Sequence, residues 1–264
     1  MMIEPVILIY LALWGYLFAS AASFGDALAE RILNAHYRKS RKTISDKIKY
    51  IWGGRSVCDH CQTVISPLHV LPVLGYLLAK GRCQTCHEKL SRRYLYQESL
   101  AFFYGFFLAT LFGEWIYLAF SAAYLVLSIL IAKVDHEFFL IPLEATFAIL
   151  LLGFGELFFT ATSAKMIYLG LGVAVIWFFL LLLLYFVYQN KLGLGDLYLV
   201  FAMSIALAFP RSVYLPTLAS LMGLTWYALH RKNTESFLKT KVPFGVYLAL
   251  AFLVLRMFPS EILF

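Results

Sequence analysis

The chain has 264 residues, of which 62% are hydrophobic and 14% charged, and its mean hydropathy is +0.78. This composition excludes an ordinary soluble domain, because the apolar runs approach or reach the ~20 residues that a bilayer-spanning helix needs. The net charge of +7 requires no nucleic-acid partner, since anionic lipid headgroups account for excess Lys and Arg in the loops of a membrane protein.

Apolar segments recur along the whole chain and predict helices, because a backbone in lipid has to satisfy its own hydrogen bonds. The eight segments are 6–28, 94–112, 115–134, 141–160, 166–188, 196–209, 212–229 and 243–260. The first one has neither a preceding cation nor a small-residue cleavage site, so we expect a retained helix rather than a signal peptide. The sequence predicts an all-α polytopic membrane protein with about eight transmembrane helices.

The Lys and Arg residues can all be assigned to loops or helix ends, and they are distributed unequally between the two sides of the membrane. Nineteen of the 22 fall on one side, thirteen of them within 31–93, and only Lys165, Arg211 and Arg256 fall on the other. Because cytoplasmic loops carry the excess of cations, we expect 31–93 in the cytoplasm and both termini outside, in the inner membrane. This predicts a first transmembrane helix (1–30), a cytoplasmic insert (31–93) and a seven-helix membrane domain (94–264).

All four cysteines lie in the predicted insert, where Cys58 pairs with Cys61 and Cys83 with Cys86 in two Cys-x-x-Cys knuckles. This spacing is typical of a zinc site, in which four thiolates surround the ion as a tetrahedron. Disulfides are less expected in a reducing compartment. An iron site or a redox pair stays open, because spacing does not choose the metal. We expect a small zinc-ribbon-like insert whose folding depends on structural zinc.

Two aspartates stand at the edges of apolar segments, and the predicted topology places both at the same bilayer boundary. They are Asp135 and Asp196, the second within Gly193-Leu194-Gly195-Asp196. Ionisable groups at membrane depth are costly and are therefore candidates for function. The two glycines would allow a sharp bend and the close approach of an extended substrate. Alone, Asp196 could equally be a helix cap, and the pair could serve a transporter as an ion relay.

The order of the motifs identifies a resemblance. Matching segments are 55–61, 71–77, 81–86, 91–94 with Glu98, Asp135 with Ile141-Pro142, 193–196, and Val242-Pro243-Phe244-Gly245. Together they resemble the type IV prepilin peptidases, membrane enzymes that process pilins and type II secretion pseudopilins. There are departures: Asp59 stands where the family usually has Pro, and residues 22–26 replace its Gly-Ser-Phe-Leu-Asn-like block.

The resemblance implies peptide-bond hydrolysis by Asp135 and Asp196, supported by Gly193 and Gly195. Two close carboxylates do not both ionise easily, so one is expected to hold a proton near neutral pH. The family also implies N-methylation of the new N-terminus with S-adenosylmethionine. A peptidase without methyl transfer and a zinc-stabilised scaffold that has lost catalysis stay as alternatives.

Other acidic residues lie on or near apolar helices. Glu98 and Glu144 are candidates for a supporting role in the substrate groove, although placement at the interface explains them as well. Glu156 is expected at the interface or in a pair with Lys or Arg.

Overall fold

The computed structural model of the protein describes residues 5–38, 44–58, 60–160, 164–188, 193–230 and 242–259. Its helices are α1 (Pro5–Ile32) with a π-helical continuation (Leu33–Arg38), α2 (Ile44–Gly53), α3 (Pro67–Val70), α4 (Leu74–Leu78), α5 (Arg92–Phe112), α6 (Trp115–Phe138), α7 (Leu143–Phe159), α8 (Ala164–Val187), α9 (Leu194–Leu207), a 3₁₀ turn (Arg211–Tyr214), α10 (Leu215–His230) and α11 (Phe244–Arg256). Asp59, Lys191 and the cations between 231 and 241 lie outside the described residues.

Each predicted apolar segment coincides with one helix, namely α1 or one of α5 to α11. Within the described ranges, three helical stretches are long and apolar enough to cross a membrane: Pro5–His36, Trp115–Phe138 and Ala164–Val187. The apolar helices α9 and α11 have only 14 and 13 residues. Each extends for about 20 Å, less than the ~30 Å hydrocarbon core. The all-α polytopic membrane fold is confirmed, and the number of eight spans stays a prediction.

The chain forms two compact units, Met1–Glu114 and Trp115–Phe264. In the first unit α1 packs along α5, and two glycines allow the close approach. The ring of Phe18 lies against Gly105, and the ring of Phe102 lies against Gly15. A Cβ at either glycine would overlap the facing ring, so small residues set the distance between these helices. The division into 1–30, 31–93 and 94–264 stays a prediction.

The second unit is built around α9, of whose 14 residues nine are buried. The helices α7 and α8 pack on α9, while α11 packs on α6 and α10 and also contacts α9. Pro142 precedes α7 and Pro243 precedes α11. Proline is accepted at the start of a helix but not inside it, so both sequence positions mark where a helix begins.

A buried ion pair joins four helices of the second unit. Arg256, the last residue of α11, is 0% exposed. Its five N–H groups donate to both carboxylate oxygens of Glu156, twice to Ser121 Oγ and once to a backbone carbonyl of α9, over 2.8–3.3 Å. The rings of Tyr117 and Tyr124 lie 4.4 and 4.6 Å from Cζ, as in cation–π contacts. The expected pairing of Glu156 with a cation is confirmed.

Candidate active site

Asp135 lies near the end of α6 and is only 5% exposed. Its Oδ2 accepts a hydrogen bond of 3.2 Å from the backbone N–H of Val246, in the first turn of α11. The first N–H groups of a helix have no partner within the helix, and the positive end of its dipole favours a carboxylate. The start of α11 therefore holds the side chain of Asp135 in place.

Gly245 explains how Asp135 comes so close to α11. A Cβ at residue 245 would lie 2.9 Å from Asp135 Oδ2 and 3.1 Å from Cγ. Any side chain there would push the carboxylate away from the helix end. The sequence motif Pro243-Phe244-Gly245 thus starts α11 and leaves room for the acid at the same time. Sequence reasoning noted this motif but did not connect it with Asp135.

Asp196 occupies the first turn of α9, whose N-cap is Gly193. A Cβ on Gly193 would lie 2.9 Å from Asp196 Oδ2, so the carboxylate folds back over the N-cap residue. An acidic side chain in this position reaches the free backbone N–H at the helix start. The backbone of Gly193 has φ −71°, which any residue adopts. Its missing side chain, rather than an unusual bend, is what the site requires.

Gly195 makes room for a different neighbour. A Cβ at this position would lie 3.0 Å from Cβ of Ile141, in the turn that leads from α6 into α7. The two sequence motifs, Asp135 with Ile141-Pro142 and residues 193–196, therefore pack against each other. The sequence predicted that they meet at one boundary, and the geometry supplies the contact.

The helices that hold the two aspartates bring them to the same part of the second unit. Each stands at the start of a helix, Asp135 at α11 and Asp196 at α9, and these two helices are in contact. Asp135 is buried, whereas Asp196 is partly exposed. Carboxylates held in this way at two helix starts are the kind of group that general acid–base chemistry uses, and their catalytic role stays a prediction.

The other predicted site residues have separate surroundings. Glu98 lies on α5 in the first unit, is 9% exposed, and accepts a hydrogen bond of 2.7 Å from the backbone N–H of Val73. It thereby connects α5 to the segment between the two cysteine knuckles. Glu144 lies exposed in the first turn of α7, two residues after Pro142. Their supporting roles stay predictions.

The four cysteines of the insert converge as predicted. Their Sγ atoms all lie within 4.8 Å of one another, with 3.9 Å between Cys58 and Cys86 and 3.8 Å between Cys61 and Cys83. A tetrahedral ion with Zn–S bonds near 2.3 Å has sulfur–sulfur edges of about 3.8 Å. This cluster can hold a metal of that size, and it contains no disulfide.

The two knuckles share one backbone plan. The N–H of Gln62 donates to Cys58 O at 2.9 Å, and the N–H of His87 donates to Cys83 O at 3.0 Å. Gln62 and His87 both have positive φ, 58° and 57°. An isolated β-bridge closes each knuckle, Val57 with Val64 and Arg82 with Lys89. His87 is thus a turn residue, equivalent to Gln62, in a repeated thiol-presenting loop.

Local hydrogen bonds prepare some of the thiols to become metal ligands. The side chain of Thr63, followed by its backbone, lowers the pKa of Cys61 to about 6. The backbone of Cys86, followed by that of Thr85, lowers the pKa of Cys83. For Cys86 the Glu88 backbone acts in the lowering direction, but burial and the other three thiols raise the pKa to about 12. A thiolate is the form that binds metal, so the first two thiols are poised for it.

Known proteins match the chain over most of its length. Residues 17–112 match the family described as Bacterial Peptidase A24 N-terminal domain. The Prepilin leader peptidase/N-methyltransferase of Legionella pneumophila is 25% identical over 227 residues, covering 79% of this chain and 74% of that protein. Its counterpart in Aeromonas salmonicida is 31% identical over 212 residues, covering 75% and 69%.

A further relative carries a different name. The Type 4 prepilin-like proteins leader peptide-processing enzyme of Escherichia coli O78:H11 is 31% identical over 206 residues, covering 74% of this chain and 72% of that protein. No solved structure gives a significant match. The extent and identity of these matches confirm the resemblance seen in the ordered motifs. The chain belongs to the type IV prepilin peptidase family.

Proposed function

We propose that this protein is a membrane aspartyl endopeptidase that removes the short basic leader of type IV prepilins or pseudopilins. Asp135 and Asp196 are its catalytic dyad. The observation that carries the proposal is that each carboxylate lies at the start of a helix, Asp135 at α11 and Asp196 at α9, and that these two helices pack together in a chain of the prepilin peptidase family.

The proposed reaction needs one ionised and one protonated carboxylate. When both carboxylates act on one scissile bond, their like charges repel, so the pair holds one proton, while the two helix starts stabilise the remaining negative charge. The ionised carboxylate takes a proton from water, which attacks the scissile carbonyl carbon while the protonated carboxyl polarises the carbonyl oxygen. The C–N bond then breaks, and the leaving amine takes up a proton from the dyad.

The substrate follows from the proposed topology. The cysteine insert and the active site face the cytoplasm, and both chain termini lie outside, as the excess of cations in alternate loops indicates. The leader of a prepilin would stay in the cytoplasm while its apolar helix enters the bilayer. Cleavage would fall at their junction, which lies at the depth of a membrane-edge site.

N-methylation of the new N-terminal residue with S-adenosylmethionine is the proposed second activity. It is supported by the names of the relatives from Legionella and Aeromonas. The apolar crevice between α7, α8 and α9, which includes Gly170, has no internal space for even a water-sized molecule. It does not fit this donor, because ligand pockets usually span roughly 300–1,000 Å³ and offer polar groups.

Structural zinc is the proposed occupant of the cysteine cluster. Cys58, Cys61, Cys83 and Cys86 would hold it, and its chemistry there is to close the insert as a four-thiolate tetrahedron. The fit rests on the spacing of the sulfur atoms and on the lowered pKa of Cys61, about 6. A closed set of four ligands leaves no open position for substrate, so the ion would support the fold rather than the hydrolysis.

We expect the purified chain to carry about one zinc ion, and Cys58→Ser to lose most of it, because three thiolates do not complete the tetrahedron. Metal analysis by mass spectrometry measures both. His60→Ala is the matched control and is expected to keep its zinc, since His60 lies in the same knuckle outside the cluster. Iron in place of zinc, or the absence of free thiols in the metal-free protein, would contradict the assignment.

Gly245→Ala is expected to slow leader cleavage by roughly 10- to 100-fold, because the added Cβ displaces the carboxylate of Asp135 and small displacements at a reacting group are that costly. Alanine favours a helix over glycine by about 1 kcal/mol, so lost helix propensity is not the cause. Gly172→Ala is the control, since a Cβ there meets nothing within 4 Å. Equal cleavage rates for the two variants would argue against the proposed positioning.

The function itself is tested by co-expressing the chain with a prepilin and measuring the mass of the pilin N-terminus. We expect loss of the leader, and a further increment of one methyl group on the new N-terminus. Removal of the leader without that increment would support a peptidase that lacks methyl transfer. An intact leader on a cognate substrate would overturn the proposal and leave the ion-relay alternative.

A further inference from the structure

The segment between the two knuckles exposes a row of leucines. Its members lie on α3, on α4 and in the turn between them, with 37–66% of their surface exposed: Leu68, Leu71, Leu74, Leu77 and Leu78. We refer to these five residues as the leucine face. A soluble surface seldom carries so compact a group of large apolar side chains, so the face needs a partner.

The opposite side of the same segment is packed. Pro72 and Gly75 are buried, and Gly75 lies so close to the backbone of His69 that a Cβ would overlap it. His69 is bonded on both ring nitrogens, to Ser66 Oγ at 2.7 Å and to Gln84 at 2.8 Å. The segment is therefore fastened to the second knuckle, while the five leucines stay exposed.

A hydrogen bond sets the position of this segment along α5. Val73 lies between Leu71 and Leu74, and its N–H donates to Glu98 Oε2 at 2.7 Å. Glu98 is six residues into α5, about 9 Å from its start. The leucine face thus lies level with the first two turns of a helix that continues into apolar sequence.

The same two turns carry the signature of a membrane–water interface. Arg92, Arg93, Tyr94 and Tyr96 are exposed there, whereas the next exposed residues along α5 are apolar, beginning with Leu100. Tyrosines and snorkelling arginines are enriched at headgroup level. Lys80 and Arg82, both exposed, follow α4 directly and add positive charge beside the leucines.

We infer that the leucine face inserts into the bilayer surface on the side of the insert, with Lys80 and Arg82 contacting anionic headgroups. An apolar face flanked by cations has the chemistry of an interfacial anchor. Because the first two turns of α5 carry interface residues, the leucine face lies level with the headgroup region expected there. The insert is thus held to the membrane by its own leucines as well as by the helices that flank it in the chain.

The inference is tested with a nitroxide label that leaves the metal-binding thiols untouched. A ketone-bearing amino acid is introduced at position 77 and labelled, and the full chain is placed in vesicles of phosphatidylethanolamine and phosphatidylglycerol. The matched control is position 64, because Val64 is also apolar and 47% exposed but belongs to the first knuckle. Position 74 is a second labelling site if a label at 77 lowers the unfolding temperature.

Accessibility to a water-soluble nickel chelate and to oxygen is then measured by power saturation. At position 77 we expect nickel accessibility to be severalfold lower than at position 64, and oxygen accessibility to be higher. Equal nickel accessibility at the two positions would overturn the inference. Protection at 77 that appears only when a prepilin is added would overturn it as well, because the face would then bind the substrate.

Discussion

Asp135→Asn and Asp196→Asn are each expected to reduce the rate of leader cleavage by roughly 10²- to 10⁴-fold, the usual contribution of a general acid or base. Asparagine keeps the size of the side chain, and its amide oxygen can still accept the hydrogen bond from Val246 at residue 135. What it removes is the ability to take up or give a proton. The double variant is expected to be no slower than the slower single one, because the two groups act as a unit.

The measurement is the initial rate of leader removal from a purified prepilin by the protein in vesicles. Glu137→Gln is the matched control, since Glu137 is an acidic residue on the same helix, two positions from Asp135, and is exposed. It is expected to cleave at a rate close to that of the wild type. If either aspartate variant kept most of the wild-type rate, the assignment of Asp135 and Asp196 as the catalytic dyad would be wrong. This would hold even if the wild-type protein removed the leader.

Arg256→Met is expected to lower the free energy of unfolding by about 3–5 kcal/mol, because it leaves the buried carboxylate of Glu156 without its cation. The guanidinium also makes hydrogen bonds to Ser121 and to the backbone of α9. Four helices meet at this residue, and two of them carry Asp135 and Asp196. We therefore expect the variant to lose cleavage activity because it loses stability.

Denaturant unfolding in detergent measures this effect. In the double variant Arg256→Met with Glu156→Leu, most of the loss is expected to be recovered, since apolar residues of similar size often replace a buried ion pair at little cost. Lys165→Met, at an exposed cation, is the control and is expected to change the free energy of unfolding by no more than about 0.5 kcal/mol. A double variant as unstable as the single one would refute the ion-pair explanation.

The sequence predicted correctly those structural features that depend on residues close together in the chain. Helix positions follow from the length of the apolar runs, and proline marks two helix starts, at Pro142 and Pro243. The cysteine cluster follows from ligand spacing, since each Cys-x-x-Cys loop presents two thiols to the same point. These features depend on neighbours within a few residues, so they can be predicted without the fold.

The partners of the buried charges could not be predicted from the sequence. Asp135 meets Val246 across 111 residues, and Arg256 meets Glu156 across 100. Counting Arg256 as a cation at a helix end was correct for its place in the chain, but its side chain is fully buried. Gly193 and Gly195 were expected to bend the backbone for a substrate. In the fold they make room for the side chains of Asp196 and Ile141.

The sequence by itself determined an all-helical membrane protein, a four-cysteine insert and two aspartates in the order of a known family, because hydrophobicity, ligand spacing and motif order are properties of the chain. Only the tertiary structure decided that the start of α11 holds Asp135, that Gly245 must lack a side chain, and that one arginine joins four helices. Those contacts join segments far apart in the chain, and their geometry arises only when the helices pack.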